Sequence, residues 1–323
     1  MKAITVDRYG PAGALEVSDI EKPAVGDDDV LVRVRAACVN PYDWHVVTGL
    51  PYMARAQMGL RKPKVRVLGA DFAGQIEVIG SRITQFHPGD EVFGEADGGG
   101  LAEYISVSQD SLVRKPANLT FEQSAAVPMA GLTALQGLRD KGQIESGQQV
   151  LINGASGGVG TFAVQIAKSF GAEVTGVCSA TNVEMVRSIG ADHVIDYTSE
   201  DFTRGGRLYD LILDNVGNRT LSANRRVLTP RGIYVSSFGR PHRRWVGPLP
   251  FLLKMFAVSP FTKQKLVVWV AKRKKEDLLT LAKLLEDETV APVIDRTYPL
   301  SEVSQAMQYL EEGHAKGKVV VTV

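Results

Sequence analysis

Cysteine is scarce: the 323 residues hold two, Cys38 and Cys178, each inside a valine-rich, strand-like run. Both read as small buried hydrophobes in a reducing compartment. The five histidines, His45, His87, His193, His242 and His314, are scattered. A metal site needs three or four clustered Cys, His or carboxylate ligands, so no metal ligand is assigned. An excess of one charge is also missing. The net charge is +1, which gives no global pull toward nucleic acid or acidic membranes. No uninterrupted apolar run reaches the roughly 18 residues of a spanning helix. The opening MKAITVDRYG has neither an apolar core nor a cleavage site, and the expected address is cytoplasmic.

What is present changes in texture near residue 120. Before it, short apolar runs such as AITV, VLVRVRAACV, DEVFG and LAEYISV alternate with Gly, Pro and Asp, as in a small antiparallel β domain. From Phe121 onward, helix and strand patterns alternate. QQVLING, AEVTGVCS, YDLILDNVG and GIYVSSFG are continuous apolar strands, which predicts a parallel sheet covered on both faces by crossover helices. In GVGTFAVQIAKSFG, Val159, Phe162, Ala163, Ile166, Ala167 and Phe170 share one helical face, and Gly171 is the stop signal. From about Arg273 the pattern reads helix, extended segment, helix and a last strand, GKVVVTV.

The first of these strands runs into Asn153-Gly-Ala-Ser-Gly-Gly-Val-Gly160 and then into that helix. Gly154 permits the tight turn, Gly157 removes the Cβ that would block a pyrophosphate, and Gly160 lets helix and strand pack closely. Backbone N–H groups and the helix dipole then face the phosphate charge. Strand, turn, helix and next strand arrive in order, so the motif predicts dinucleotide binding.

An NAD-type site needs a carboxylate at the end of the second strand to hold the ribose 2′-hydroxyl. That strand ends Val177-Cys-Ser-Ala-Thr-Asn182, with no acid. Ser179, Thr181 and Asn182 can instead donate to a 2′-phosphate, Tyr197 can add a phenol, and Arg187 is either a charge partner or a solvated helix-face residue. The charge argument favours NADPH and leaves NADH open.

Seven segments carry a resemblance: VNPYDWHVVTG, LGADFAGQIEVIG, FHPGDEVFG, GLTAL, INGASGGVG, GADHVIDY and GKVVVTV. In this order they resemble the quinone-reductase-like group of the medium-chain dehydrogenase/reductase superfamily, over essentially the whole chain. The resemblance implies an α/β fold: a Rossmann doubly wound parallel sheet plus a GroES-like β domain. Residues 1–120 would form the GroES-like catalytic domain, 121–272 the Rossmann domain, and 273–323 would complete the catalytic domain. It also implies an active site in the cleft between the domains, and a homodimer joined through the Rossmann sheet edges. Asn40 would lie beside the nicotinamide, and Thr133 near its ribose-phosphate side. Ser156, Gly157, Gly158 and Val159 would cradle the pyrophosphate. Asn215, Val216, Gly217, Ser237, Phe238, Gly239 and Lys318 would line the rest of the groove. Many related NADPH enzymes carry a lysine at the position of Asn182. Zinc alcohol dehydrogenases of the superfamily place a cysteine where this chain has Asn40, and Gly-His-Glu where it has Gly69-Ala-Asp71. Without that Lewis acid, the implied chemistry is reduction of quinones or conjugated enones rather than oxidation of simple alcohols.

Catalytic groups are less legible. Asn40 can orient a carboxamide or bond an oxyanion, Tyr42 or Tyr52 can donate a proton, and His45 can relay one from solvent. Water is an equal proton source, His45 reads as readily as a satisfied histidine, and Asp43 reads better as a helix-cap carboxylate. Residues 240–275 carry ten Lys or Arg and no Asp or Glu, interleaved with Trp245, Leu249, Phe251, Leu253 and Phe256. Three readings stand: an apolar lid and interface with solvated cations, steering of an anionic substrate, or peripheral contact with an anionic membrane. The functional expectation is reduction of a small electrophile, with no nucleic-acid partner. The alternatives are a zinc-free alcohol or ketone oxidoreductase, and a nucleotide-binding protein without turnover.

Overall fold

The computed structural model describes residues 1–237 and 249–323; Phe238 and Gly239, expected in the cofactor groove, lie outside the described residues. The basic residues Arg240, Arg243 and Arg244, with Trp245, lie outside them as well. The chain divides into two compact units. One comprises Met1–Leu132, Arg273–Glu288 and Pro292–Val323, the other Thr133–Lys272 and Thr289–Ala291.

The first unit is built on the strand Asp29–Val39, which occupies the middle of a seven-stranded sheet. Val32 and Val34 are buried and Arg33 and Arg35 exposed, the period-two pattern of a strand with one wet face. The alternation stops at Ala36, after which Ala37, Cys38 and Val39 are also buried, so both faces are covered. The C-terminal strand Lys318–Thr322 pairs with it antiparallel, Val319 opposite Val39 and Val320 opposite Cys38. On the other side Asp71–Ile79 places Asp71 opposite Cys38. Three distant segments therefore converge where the strand ends at Asn40. There the chain turns into the helix Pro41–Thr48, which stops at Gly49 in the left-handed region, φ 61°.

The second unit holds six strands: β1 (Gln149–Asn153), β2 (Glu173–Cys178), β3 (His193–Asp196), β4 (Tyr209–Asp214), β5 (Leu228–Ser236) and β6 (Lys265–Val268). All neighbours are parallel, in the order β3-β2-β1-β4-β5-β6. This is the doubly wound Rossmann order, with the chain reversing direction across the sheet at β1 and β4. Leu211, Ile212 and Leu213 of β4 are fully buried, as a strand sandwiched between helical layers must be. The helices are α1 (Gly158–Ser169), α2 (Val183–Ser188), α3 (Leu221–Arg226) and α4 (Leu249–Val258). On α1, Phe162, Ala163, Ile166 and Ala167 are buried as the periodicity predicts, and Thr161 and Val164 are buried too. Gly171 follows at φ 78°.

Two elements fall inside the basic stretch, which by composition reads as short broken segments. Pro250 occupies the first turn of α4, where a missing N–H breaks no helical bond, so the proline does not prevent the helix. β6 closes the sheet beside β5 despite its flanking lysines.

Candidate active site

The glycine turn lies entirely within the second unit. β1 ends at Asn153, and Gly154 turns the chain at φ 84°. A Cβ on Gly160 would stand 2.0 Å from the Gly154 carbonyl oxygen and 2.7 Å from Ala155 Cα, so backbone approach alone demands glycine there. A Cβ on Gly157 would meet only the Gly154 oxygen, at 3.6 Å. The open side of Gly157 is thus space for a ligand rather than for protein. Thr161 N–H bonds the Gly157 carbonyl at 2.9 Å, which leaves the N–H groups of Gly158, Val159 and Gly160 in the first turn of α1. Donors so placed, at the positive end of the helix dipole, form an anion cradle.

A neutral donor set adjoins this turn. Asn182 Nδ2 donates to Ser156 Oγ at 3.2 Å and to Ser179 Oγ at 3.1 Å, and Ser179 Oγ lies 3.3 Å from Thr181 Oγ1. The structure therefore brings Ser156, Ser179 and Asn182 together at the end of β2. Tyr197 is exposed, and its N–H bonds the Cys178 carbonyl at 3.0 Å, which ties the loop after β3 to the same strand end. Arg187 pairs with Glu184 at 2.9 Å, the helix-face reading. The nearby carboxylate, Asp196, accepts from Thr198 and Ser199, and these bonds hold it below the usual carboxylate range.

Asp214 at the end of β4 went unnoticed in the sequence, although an acid closing the apolar run YDLILD was a signal. It is fully buried and accepts from Asn153 Nδ2 at 2.9 Å, Val216 N at 3.0 Å, Gly217 N at 2.8 Å and the Tyr234 hydroxyl at 2.6 Å. Burial and this carboxylate push the Tyr234 phenol well above its ordinary value, so it stays a donor. Asp214 thereby ties together the tips of β1, β4 and β5. Ser237 Oγ donates to Asn215 Oδ1 at 2.7 Å, while Asn215 Nδ2 is buried with no partner among the described residues. A buried amide left unbonded in this way is a donor that a ligand can satisfy. The open Gly157 and this free amide both fit a bound dinucleotide. Thr133 is half-buried on the helix Pro128–Gln136.

The second constellation lies in the first unit, around Asn40. Lys318 Nζ donates to Asn40 Oδ1 at 2.6 Å and stands 3.6 Å from Asp71 Oδ2. Asn40 Nδ2 donates to Asp71 Oδ2 at 3.0 Å and to the Cys38 carbonyl at 3.3 Å. Asp71 also accepts from Met129 N at 3.0 Å. Lys318 is 4% exposed and Asp71 0%, so this is a buried ion pair bridged by an amide. Burial works against the Lys318 charge, but Cys38, Asp71 and Asp43 outweigh it and hold its pKa above the ordinary lysine value. Burial pushes the Asp71 carboxyl up against the pull of Lys318.

Asp43 is buried beside them and accepts from Asn40 N at 2.9 Å and Gly69 N at 3.1 Å, the cap role read from sequence. Burial still pushes its carboxyl up to about 7. Burial and the charge of Asp71 take Glu95 up to about 8. Burial takes the Cys38 thiol up to about 12, so it is no thiolate at neutral pH.

The other candidate acids sit apart from this network. His45 Nδ1 donates to the Leu50 carbonyl at 2.6 Å, and burial lowers its pKa, which keeps the imidazole neutral. Tyr42 donates to the Asp97 carbonyl at 3.0 Å, with its phenol pushed up to about 12 by burial. Tyr52 is exposed in the single turn Tyr52–Ala54, with the Arg55 guanidinium 4.7 Å from its ring centre.

Comparison with known proteins gives this geometry its family. Residues 26–117 match the alcohol dehydrogenase GroES-like domain, and residues 189–321 match a family described as zinc-binding dehydrogenase. A mouse mitochondrial NAD(P)H oxidoreductase is 34% identical, over 100% of this chain and 89% of its own length. The chain belongs to the medium-chain dehydrogenase/reductase superfamily. A chloroplastic NADPH-dependent alkenal/one oxidoreductase from Arabidopsis thaliana is 33% identical, over 99% of this chain and 79% of its own length. The solved quinone oxidoreductase of Coxiella burnetii superposes with a TM-score of 0.86 at 31% identity, over 100% of this chain and 99% of that one. The α/β architecture is the one this family shares, a Rossmann sheet with a GroES-like β domain. The cytoplasmic address expected from the sequence is overturned by these relatives, which are mitochondrial in mouse and chloroplastic in Arabidopsis.

Proposed function

We propose that this chain is a zinc-independent, NADPH-dependent oxidoreductase that delivers a hydride to a quinone, an enone or a similarly activated small acceptor. The observation that carries the reading is the glycine turn, whose Gly157 faces open space and whose neighbouring donors Ser156, Ser179 and Asn182 include no carboxylate. The N–H groups of Gly158, Val159 and Gly160 would hold the pyrophosphate, and Asn215 Nδ2 would gain a partner that it lacks among the described residues. The Ser179 hydroxyl would donate to a 2′-phosphate without repelling it, and Asn182, whose two N–H groups go to Ser156 and Ser179, would hold the two hydroxyls in place. NADH stays open as a weaker ligand, because Arg187, the candidate charge partner of a 2′-phosphate, is paired with Glu184. When bound, the reduced nicotinamide supplies the hydride.

Asn40 serves best as a positioning residue. Both of its amide N–H groups are already donated, to Asp71 and to Cys38, so neither is free for an oxyanion. The acceptor also needs a proton, and neutral His45, tied to Leu50, is not a resident acid at neutral pH. Water or an exposed hydroxyl such as Tyr52 is the better source.

Zinc independence is supported by what stands at the two ligand positions of the zinc enzymes. Asn40 stands at the cysteine position and bonds the Lys318 ammonium, the buried Ala70 stands at the histidine position and offers no ligand atom, and residues 189–321 contain no cysteine. A homodimer is supported by the strand edge that β6 leaves beside its single described neighbour. The alcohol or ketone oxidoreductase reading shares all these residues and differs only in acceptor. Titration of the protein with NADPH and NADH, followed by nucleotide fluorescence, tests the proposal. NADPH should bind at least about tenfold tighter, a difference of ~1.4 kcal/mol. Absence of binding by either nucleotide contradicts it.

A further inference from the structure

Helix α4 presents two apolar stripes. Phe251, Met255 and Val258 pack into the core of the second unit with Leu221 and Tyr234, and Met255 is 4% exposed. Leu249, Leu253 and Phe256 follow at the same helical spacing on another face, 37%, 60% and 75% exposed. Phe261, just beyond the helix, is 87% exposed. A helix on a folded unit normally sets a polar face against its buried one. Here LPFLLKMFAV has one charged side chain, Lys254, and no other polar one.

Charge points to what such a surface meets. Residues 240–275 hold ten of the 37 Lys and Arg of the chain and none of its 36 Asp and Glu, so the remaining residues carry a net charge of −9. Among the described residues of this stretch, Lys254, Lys263, Lys265, Lys272, Arg273 and Lys274 are exposed, Lys265 bonded to Gln143 and Arg273 paired with Asp97. A second copy laid on this face by a two-fold axis would set cation against cation. A surface that offers phosphates above an apolar layer satisfies both features at once. No described helix is long and apolar enough to cross a membrane.

We propose that the α4 segment docks the protein on an anionic bilayer surface. Leu253, Phe256 and Phe261 enter the boundary between headgroups and acyl chains, while Lys254 and Lys263 pair with lipid phosphates. The proposal stands independently of the hydride chemistry.

The test is sedimentation of the full chain with vesicles of phosphatidylcholine alone and of equimolar phosphatidylcholine and phosphatidylglycerol. Pelleting is expected with the mixed vesicles only, weakening at least about tenfold as salt rises from roughly 50 to 500 mM, where screening shortens the reach of charge. Two double variants, L253S/F256S and K254E/K263E, should each lose binding about tenfold. Thermal melting checks that both remain folded, as expected for exposed positions. Inorganic phosphate at the same ionic strength should compete no better than chloride, which separates a lipid surface from a free-phosphate site. No pelleting at low salt, equal pelleting with neutral vesicles, or unchanged binding by folded variants would each overturn the proposal. So would a dimer in solution that L253S/F256S dissociates, since a second copy would then own this face.

Discussion

Lys318 Nζ donates to Asn40 Oδ1 at 2.6 Å across 278 residues of chain, and the same ammonium stands 3.6 Å from Asp71. The C-terminal strand is thereby locked to the end of the central strand by a fully buried charge pair. Removing one partner strands the other in a low-dielectric interior. Lys318→Met or Asp71→Ala should each cost about 3–5 kcal/mol, read by urea unfolding. The double variant K318M/D71A should cost less than the sum of the two. Additive losses would mean that the pair is not coupled.

The same cluster sets a pH dependence. Asp43 and Glu95 are pushed up in the fold, to about 7 and about 8, so the native state keeps protons that the unfolded chain has released. Their stabilising contribution is fully present below the unfolded carboxyl range and is lost as pH rises through the folded values. Unfolding free energy should therefore fall between roughly pH 5 and pH 8, and Glu95→Gln should flatten that slope. A wild-type stability that rises across this window would contradict the assignment. Acids with lowered values, such as Glu173 at about 2, act only at much lower pH.

The glycines separate folding from binding. Gly160→Ala would drive a Cβ to 2.0 Å from a backbone oxygen, and it should lower stability as well as nucleotide affinity. Gly157→Ala meets protein only at 3.6 Å, so its melting temperature should hold while nucleotide affinity drops about tenfold or more. Differential scanning fluorimetry with and without NADPH reads both effects. Equal stability losses would mean that Gly157 serves packing alone.

Cofactor preference rests on the absence of an acid at the end of β2. Ser179→Asp places a carboxylate there, against a 2′-phosphate and toward a 2′-hydroxyl. Its KM for NADPH should rise about tenfold or more while that for NADH falls. Unchanged preference would move the 2′-phosphate site elsewhere.

Local chemistry was legible and distant chemistry was not. The Gly154–Gly160 turn, the Asn182 neighbourhood and the covered strands of the Rossmann sheet are written in short stretches whose spacing follows backbone geometry. Asp71 and Lys318 could not be paired in that way, because strand register brings them together across most of the chain. Asn40 was expected to orient a carboxamide or bond an oxyanion, and only the three-dimensional bonding shows its two N–H groups already given to Cys38 and Asp71. α4 and β6 were hidden because prolines and lysines mask a helix start and an edge strand, both of which tolerate them. Asp214 stood in plain view, but nothing local to YDLILD tells that its carboxylate collects four donors.

The central claim is hydride transfer without a metal. Its most direct measurement is loss of nicotinamide absorbance with NADPH, against a panel of quinones, enones and aldehydes, after exhaustive treatment with chelator. The account predicts turnover that chelation leaves unchanged, with quinones or enones ahead of simple aldehydes. Activity abolished by chelator and restored by zinc, or tight NADPH binding with no turnover on any acceptor, would contradict it.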